Sequence, residues 1–196
     1  KVREAMLTFN LSQAGQHWIA NSMAVLAAVL AAGGDLASAG LALAEMGGLS
    51  GRGARHDVAV AGGSVHVIDE SYNANPASMA ATIGQLGLSS GRRRIAVLGS
   101  MKELGDKSNH YHSALAVPLA AAKVDFAILV GQEMEILAEE LKAGVEGPAN
   151  FAHCANAQEA LALLQNYLCA SDTILVKGSN SMGLSSIVSA LTGGKN

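Results

Sequence analysis

The chain has 196 residues, with 13 Lys+Arg against 16 Asp+Glu and a formal net charge of −3. Half of it is hydrophobic and only 15% is charged, which is too apolar for a disordered chain, and the missing basic excess argues against nucleic acid as a partner. Cys154 and Cys169 form no CxxC, so neither a disulfide framework nor a zinc knuckle is expected, and a reducing, cytoplasmic compartment fits best. Lys1-Val2-Arg3-Glu4 is followed by a mixed stretch and not by the apolar core of a secretory signal. The longest apolar run, Met23 to Ala32, is about half of the ~20 residues a membrane span needs, so no membrane insertion is expected.

Residues 1–10 have β-like character and end in the polar turn Asn10–Gly15. A helix is predicted from His17 to the paired stop Gly33-Gly34, its Ala-rich body apolar all round and hence buried on several sides. Asp35 caps a second helix to about Met46. Gly47 to Gly53 carries four glycines in seven residues, the composition of a hinge. Beyond it, residues 57–61 and 64–69 flank Gly62-Gly63 as a hairpin. Helices are then predicted at 76–86, 109–122, 133–142, 157–168 and 182–191, alternating with apolar strands at 94–99, 125–130, near 151, and at 173–176. Such alternation implies a mostly parallel sheet covered on both faces, with the hairpin as an antiparallel edge.

In open α/β sheets ligands bind beyond the carboxyl ends of the strands, and three strand ends here are unusually polar: Asp69 to Asn75, Gly99 to Gly105, and Lys177 to Ser181. The first gathers two carboxylates, two amides and hydroxyls before a helix opened by Pro76. Carboxylates suit a ribose hydroxyl or an ammonium group, and Asn amides suit a peptide-like substrate. An Asx-turn network with Asn75 as N-cap fits the same spacing. Lys177-Gly178-Ser179, read as a helix start, could hold an anion. Gly178 to Gly183 has the glycine spacing of a P-loop, but Leu184-Ser185 stands where Lys-Ser/Thr is required, and no GxGxxG follows a strand. His110 and His112 are read as a solvated helix start and Arg92-Arg93-Arg94 as a solvated loop.

At Asp69–Met79 the sequence DESYNANPASM resembles the D-[DE]-[ST]-Y-N-A-N-P-x-S-M signature of the MurF branch of the Mur ligases. Gly15 to Asn21 is similar to that family's G-x-H-N-x-x-N, Gly99 to Gly105 with His112 to its G-D-M-x-E-L-G and following His, and Val176 to Ser179 to its V-K-G-S. The resemblance implies an ATP-dependent ligase that joins D-alanyl-D-alanine to UDP-N-acetylmuramoyl-tripeptide through an acyl phosphate, in the cytoplasm and as a monomer. It implies a fold of the α/β class: residues 1–49 as the helical end of a central ATPase domain, and residues 50–196 as a Rossmann-like domain with a mostly parallel sheet, helices on both faces and an antiparallel edge hairpin. The P-loop and the ligands of Mg2+ would lie in a missing N-terminal part, leaving no catalytic or metal residue here.

By the same resemblance Asn21 would meet adenine, Arg52 would swing on its Gly hinge onto the phosphates of ATP, and Asp69 and Glu70 would hold the ribose. Asn73, Asn75, Lys177 and Ser179 would face the dipeptide. Trp18 replaces the family's Asn, Ser100 its Asp, and Asn180 a common Arg; Trp18 suggests a stacked adenine. Two rival readings are a stand-alone Rossmann-like small-molecule binding module and a different Mur ligase that adds a single amino acid.

Overall fold

The computed structural model describes residues 7–11, 16–46 and 50–194, residues 16 and 17 by backbone alone. Contacts divide the chain into two compact units, residues 1–49 and 50–196.

In the first unit two helices, α1 (Gln16–Ala31) and α2 (Leu36–Glu45), pack on each other. Gly34 donates its N–H to the Val29 carbonyl and closes α1, and the Asp35 carboxylate caps α2 through the Ser38 N–H at 2.7 Å. Of the predicted β-like opening, residues 1–6 lie outside the described residues, and residues 7–10 are neither helix nor strand. The turn at 12–15 and Gly47-Gly48 also lie outside them. The burial on several sides expected of α1 is not found: Leu26 is buried, but Ile19, Met23 and Val25 are exposed. An apolar helix can bury only the face that meets a neighbour, and α2 covers one.

The second unit is a six-stranded sheet in the order β1-β2-β6-β3-β4-β5. Its strands are β1 (Ala54–Val60), β2 (Gly63–Glu70), β3 (Arg94–Gly99), β4 (Phe126–Val130), β5 (Asn150–Cys154) and β6 (Thr173–Lys177). Only β1 runs antiparallel, as the expected edge hairpin. Val60 pairs with Gly63, so the turn is Ala61-Gly62, one residue earlier than predicted.

Successive side chains of each strand point to opposite faces. Ala96, Leu98, Ala127, Leu129 and Leu175 enter one core, beneath α3 (Pro76–Gly87), α5 (Ala116–Ala121) and α6 (Glu135–Lys142). Ile95, Val97, Ile128, Ile174 and Val176 enter the other, beneath α7 (Ala157–Tyr167) and α8 (Ser185–Leu191). The helix predicted at 109–122 is broken into α4 (Ser108–Ser113) and α5 by a turn at Ala114-Leu115. Pro118 has no N–H to give the Ala114 carbonyl, so the helix cannot run through.

Two polar groups buried in this unit carry structural work that the sequence hides. Arg93, read as a solvated residue, holds the fully buried Asp172 in a fork: Nε donates to Oδ1 at 2.9 Å and Nη2 to Oδ2 at 2.6 Å. The guanidinium also stacks on the Tyr167 ring, 4.4 Å from its centroid. His112 is buried rather than solvated; its Nε2 accepts the Met101 N–H at 2.9 Å and its Nδ1–H donates to the Ser108 carbonyl at 2.8 Å. That network assigns the neutral Nδ1–H tautomer. Burial pushes the imidazole pKa below its ordinary value, against opposing pulls from the Ser108 hydrogen bond and Glu133.

Arg93→Ala leaves a buried carboxylate without its cation and is expected to lower unfolding free energy by about 3–5 kcal/mol, read as a lower denaturant midpoint at unchanged slope. For His112 the folded pKa lies below the unfolded value of 6.5, so its contribution is complete above about pH 6.5 and is lost as pH falls below it. Wild-type melting temperature should therefore drop between pH 7.5 and 5.5 by more than that of His112→Gln. An equal drop in both would mean that His112 does not carry the dependence.

Candidate functional site

Because β2, β6 and β3 are adjacent and parallel, their carboxyl ends deliver the three polar loops side by side on one rim, 71–75 beside 178–182 beside 100–104. The loop after β6 leads to the second face and the loop after β3 to the first, so the β3/β6 boundary is a topological switch point. At its root the two strand ends approach closely. A Cβ on Gly178 would lie 3.0 Å from Gly99 Cα and 2.8 Å from Leu184 Cδ1. The two glycines serve close backbone approach, and Leu184 fills the space.

Lys177 ends β6 with 2% of its surface exposed. Its Nζ donates to the Asn73 carbonyl at 2.9 Å and lies 3.6 Å from Glu70 Oε2. Burial pulls its pKa down, Glu70 pulls it back up, and Arg52 lowers it further. The ammonium therefore faces inward, onto loop 71–75. It is not the open anion holder that a helix start would make, and no helix starts there: a 3-10 turn covers Asn180–Met182, and α8 begins only at Ser185. Ser179 is half-buried; its N–H donates to the Ser100 carbonyl at 3.2 Å and its Oγ accepts from Ser181.

The acidic pair divides. Asp69 is 2% exposed, and its oxygens accept the Gly51 N–H at 2.7 Å and the Ser71 hydroxyl at 2.6 Å and N–H at 3.1 Å. In this arrangement it has no free face for a ribose. Glu70, one residue on, projects to the other face, beside Lys177. Asn73 is exposed, and its Oδ1 takes the Ala74 N–H at 2.8 Å. Asn75 forms the N-cap that its spacing permitted: Oδ1 accepts the Ser78 N–H at 2.8 Å, and Ser78 Oγ accepts the Asn75 N–H at 3.1 Å, a reciprocal capping box.

Arg52 is exposed, with its guanidinium 4.2 Å from the centroid of the Tyr72 ring. Its backbone is not a free hinge. The Gly51 carbonyl accepts the Tyr72 N–H at 3.1 Å, and the Gly53 N–H donates to the Asp69 carbonyl at 2.8 Å. Arg52 thus belongs to the sheet unit. At the far side of the rim Lys102 pairs with Glu133, whose pKa is held down at about 2, chiefly by that hydrogen bond. Among the described residues no group of three or more His, Cys, Asp or Glu could hold a metal ion.

Asn21 lies in the other unit, exposed on α1, where it borders a small apolar cavity of about 100 Å³ with Trp18, Val25 and Leu43. Sequence reasoning missed Tyr72 as a site residue, although it stands inside the most informative motif. It also missed the Lys102–Glu133 pair, for which a separation of 31 residues leaves no local signal.

Residues 51–180 match the family described as Mur ligase, glutamate ligase domain. The chain is 32% identical over 194 residues to UDP-N-acetylmuramoyl-tripeptide–D-alanyl-D-alanine ligase of Mycobacterium leprae, covering 91% of this chain and 37% of that protein. A crystal structure of MurF from Acinetobacter baumannii superposes with a TM-score of 0.78 at 30% identity, over 94% of this chain and 40% of that one. MurF ligase from Thermotoga maritima, in complex with ADP, shares the fold with a TM-score of 0.76 at 21% identity, over 96% and 41%. The chain spans about two fifths of the length of these relatives. With two thirds of its length matched to that family, and the YNANP loop and the buried Lys177 set side by side on its rim, the chain belongs to the Mur ligases.

Proposed function

We propose that this chain is the C-terminal part of an ATP-dependent ligase that joins D-alanyl-D-alanine to UDP-N-acetylmuramoyl-tripeptide in peptidoglycan synthesis. One observation carries the reading: 32% identity across 91% of the chain to a ligase of that name. The loop DESYNANPASM favours the dipeptide-adding branch over a ligase for a single amino acid. In this reading residues 1–49 are the end of the central ATPase domain and residues 50–196 are the third domain of a monomeric, cytoplasmic enzyme. No helix among the described residues is long and apolar enough to cross a membrane.

A tripeptide carboxylate oxygen takes the terminal phosphoryl group of ATP, ADP leaves, and an acyl phosphate results. The amine of the dipeptide then attacks that carbonyl, phosphate leaves, and the amide remains. The exposed groups of this chain suit parts of that task. Arg52 offers a cation to phosphate oxygens, and the Asn21 amide can meet a base edge. Asp69 does not suit the ribose, since Gly51 and Ser71 occupy its oxygens. Glu70 is the acidic residue assigned to the ligand side. Asn73, Ser179 and the free amide nitrogen of Asn75 line the dipeptide subsite, and Lys177 shapes that subsite from below. Mg2+ accompanies ATP in this reading.

The complete gene product, supplied with ATP and UDP-N-acetylmuramoyl-tripeptide, should form product with D-alanyl-D-alanine and far less with single amino acids. The reverse preference would place it in another branch of the family. Arg52→Ala should reduce turnover about ten-fold or more, as loss of a charge-stabilising donor does, while an exposed position leaves the melting temperature nearly unchanged. Wild-type kinetics in that variant would refute the role of Arg52.

A further inference from the structure

Three hydrogen bonds fasten the backbone on either side of Arg52 to loop 69–72. The Gly51 N–H reaches Asp69 Oδ2 at 2.7 Å, the Tyr72 N–H reaches the Gly51 carbonyl at 3.1 Å, and the Gly53 N–H reaches the Asp69 carbonyl at 2.8 Å. Gly51 itself has φ +74, and a Cβ there would stand 2.7 Å from Tyr72 Cβ. Only glycine fits that approach. The segment is so close to loop 69–72 that the Arg52 guanidinium comes to rest 4.2 Å above the Tyr72 ring.

The Tyr72 side chain has little to do in the core, since the residue keeps 48% of its surface exposed. An arginine on an open surface otherwise samples many rotamers, and each one out of place reduces the fraction ready to meet a ligand. A flat aromatic ring under the guanidinium narrows that set without neutralising the charge, which a carboxylate partner would do. Asp69 supports the same arrangement from inside by fixing Gly51.

We propose that Tyr72 is a positioning residue for Arg52: its ring holds the guanidinium pre-oriented and still fully charged for an anionic oxygen of the nucleotide. The inference rests on the reading of Arg52 given above. It also moves any domain hinge to a point before Gly51, because Arg52 cannot swing independently of loop 69–72.

Two variants separate ring from bulk, Tyr72→Phe keeping the aromatic face and Tyr72→Leu keeping only apolar volume. In the 196-residue chain the Arg52 side-chain NMR signals should be shifted upfield by the ring current in wild type and Tyr72→Phe, and lose that shift in Tyr72→Leu. In the complete ligase Tyr72→Leu should lower kcat about two- to five-fold, the range a half-exposed cation–π contact supports, with KM for the dipeptide unchanged. Tyr72→Phe should recover that loss. Adding Tyr72→Leu to Arg52→Ala should cost nothing further, because the group being positioned is already gone. A Tyr72→Leu enzyme as fast as wild type beside an impaired Arg52→Ala overturns this inference alone, as does a double variant whose losses multiply. A silent Arg52→Ala overturns the reading of Arg52 and this inference with it.

Discussion

An ammonium group taken out of water is destabilising by several kcal/mol unless acceptors replace its hydration, and the rim of this domain is arranged around one such group. Lys177 sits at the end of β6, between β2 and β3, with Glu70 and the Asn73 carbonyl as its partners. Both belong to the strand and loop beside it. The parallel register places Glu70 opposite Lys177, so the charge pair follows directly from the strand alignment. The hydrogen bond to Asn73 then ties an exposed, polar loop to a fully buried strand. Beyond the bonds of Gly51 and Gly53 to residues 69–72, the loop would otherwise have only its own Asx and capping bonds to hold it.

Asp69 does similar work one residue earlier, on the opposite face. Its carboxylate gathers Gly51 and Ser71, and the two segments so joined bring Arg52 over Tyr72. Adjacent carboxylates on a strand cannot both face a ligand, because the pleat turns them to opposite sides. One therefore becomes internal architecture and the other stays near the surface. The rim thus has a rigid interior of buried charges and an exposed layer, Arg52, Tyr72 and Asn73, with the half-buried Ser179 beside it, that is free to meet other molecules. Close contact of Gly178 with Gly99, and the packing of Leu184, keep that layer at the surface rather than in a deep crevice.

The sheet was legible in the sequence because its strands are short apolar runs bounded by turns: Arg94–Gly99 is a strand with the predicted limits. Breaks inside helices were less legible. Pro118 announces one, but the 3-10 turn at Asn180–Met182 depends on contacts with Ser179 that no periodicity encodes. For the site, motif reading found the loops and their common rim, which follow from strand order. It did not find which polar atoms turn inward. Lys177 with Asn73, Arg93 with Asp172 and Lys102 with Glu133 are separated by 104, 79 and 31 residues, and a charge's partner at such distances is decided by the fold alone. Hence Arg93 reads as solvated while it is structural; His112, whose partners Ser108 and Met101 are 4 and 11 residues away, is hidden instead because its burial depends on the packing around it.

The dependence of the rim on Lys177 is most directly tested by amide hydrogen exchange in wild type and Lys177→Met, a substitution that keeps the apolar stem and removes the charge. The structure requires protection at Ser71, Tyr72 and Ala74 to fall in the variant, while the amides of β3 and β4 exchange as before. Unchanged protection in loop 71–75 would contradict the organising role of Lys177. So would a loss spread evenly over the whole sheet, which would make Lys177 a general contributor to stability and not the fastening of the loop.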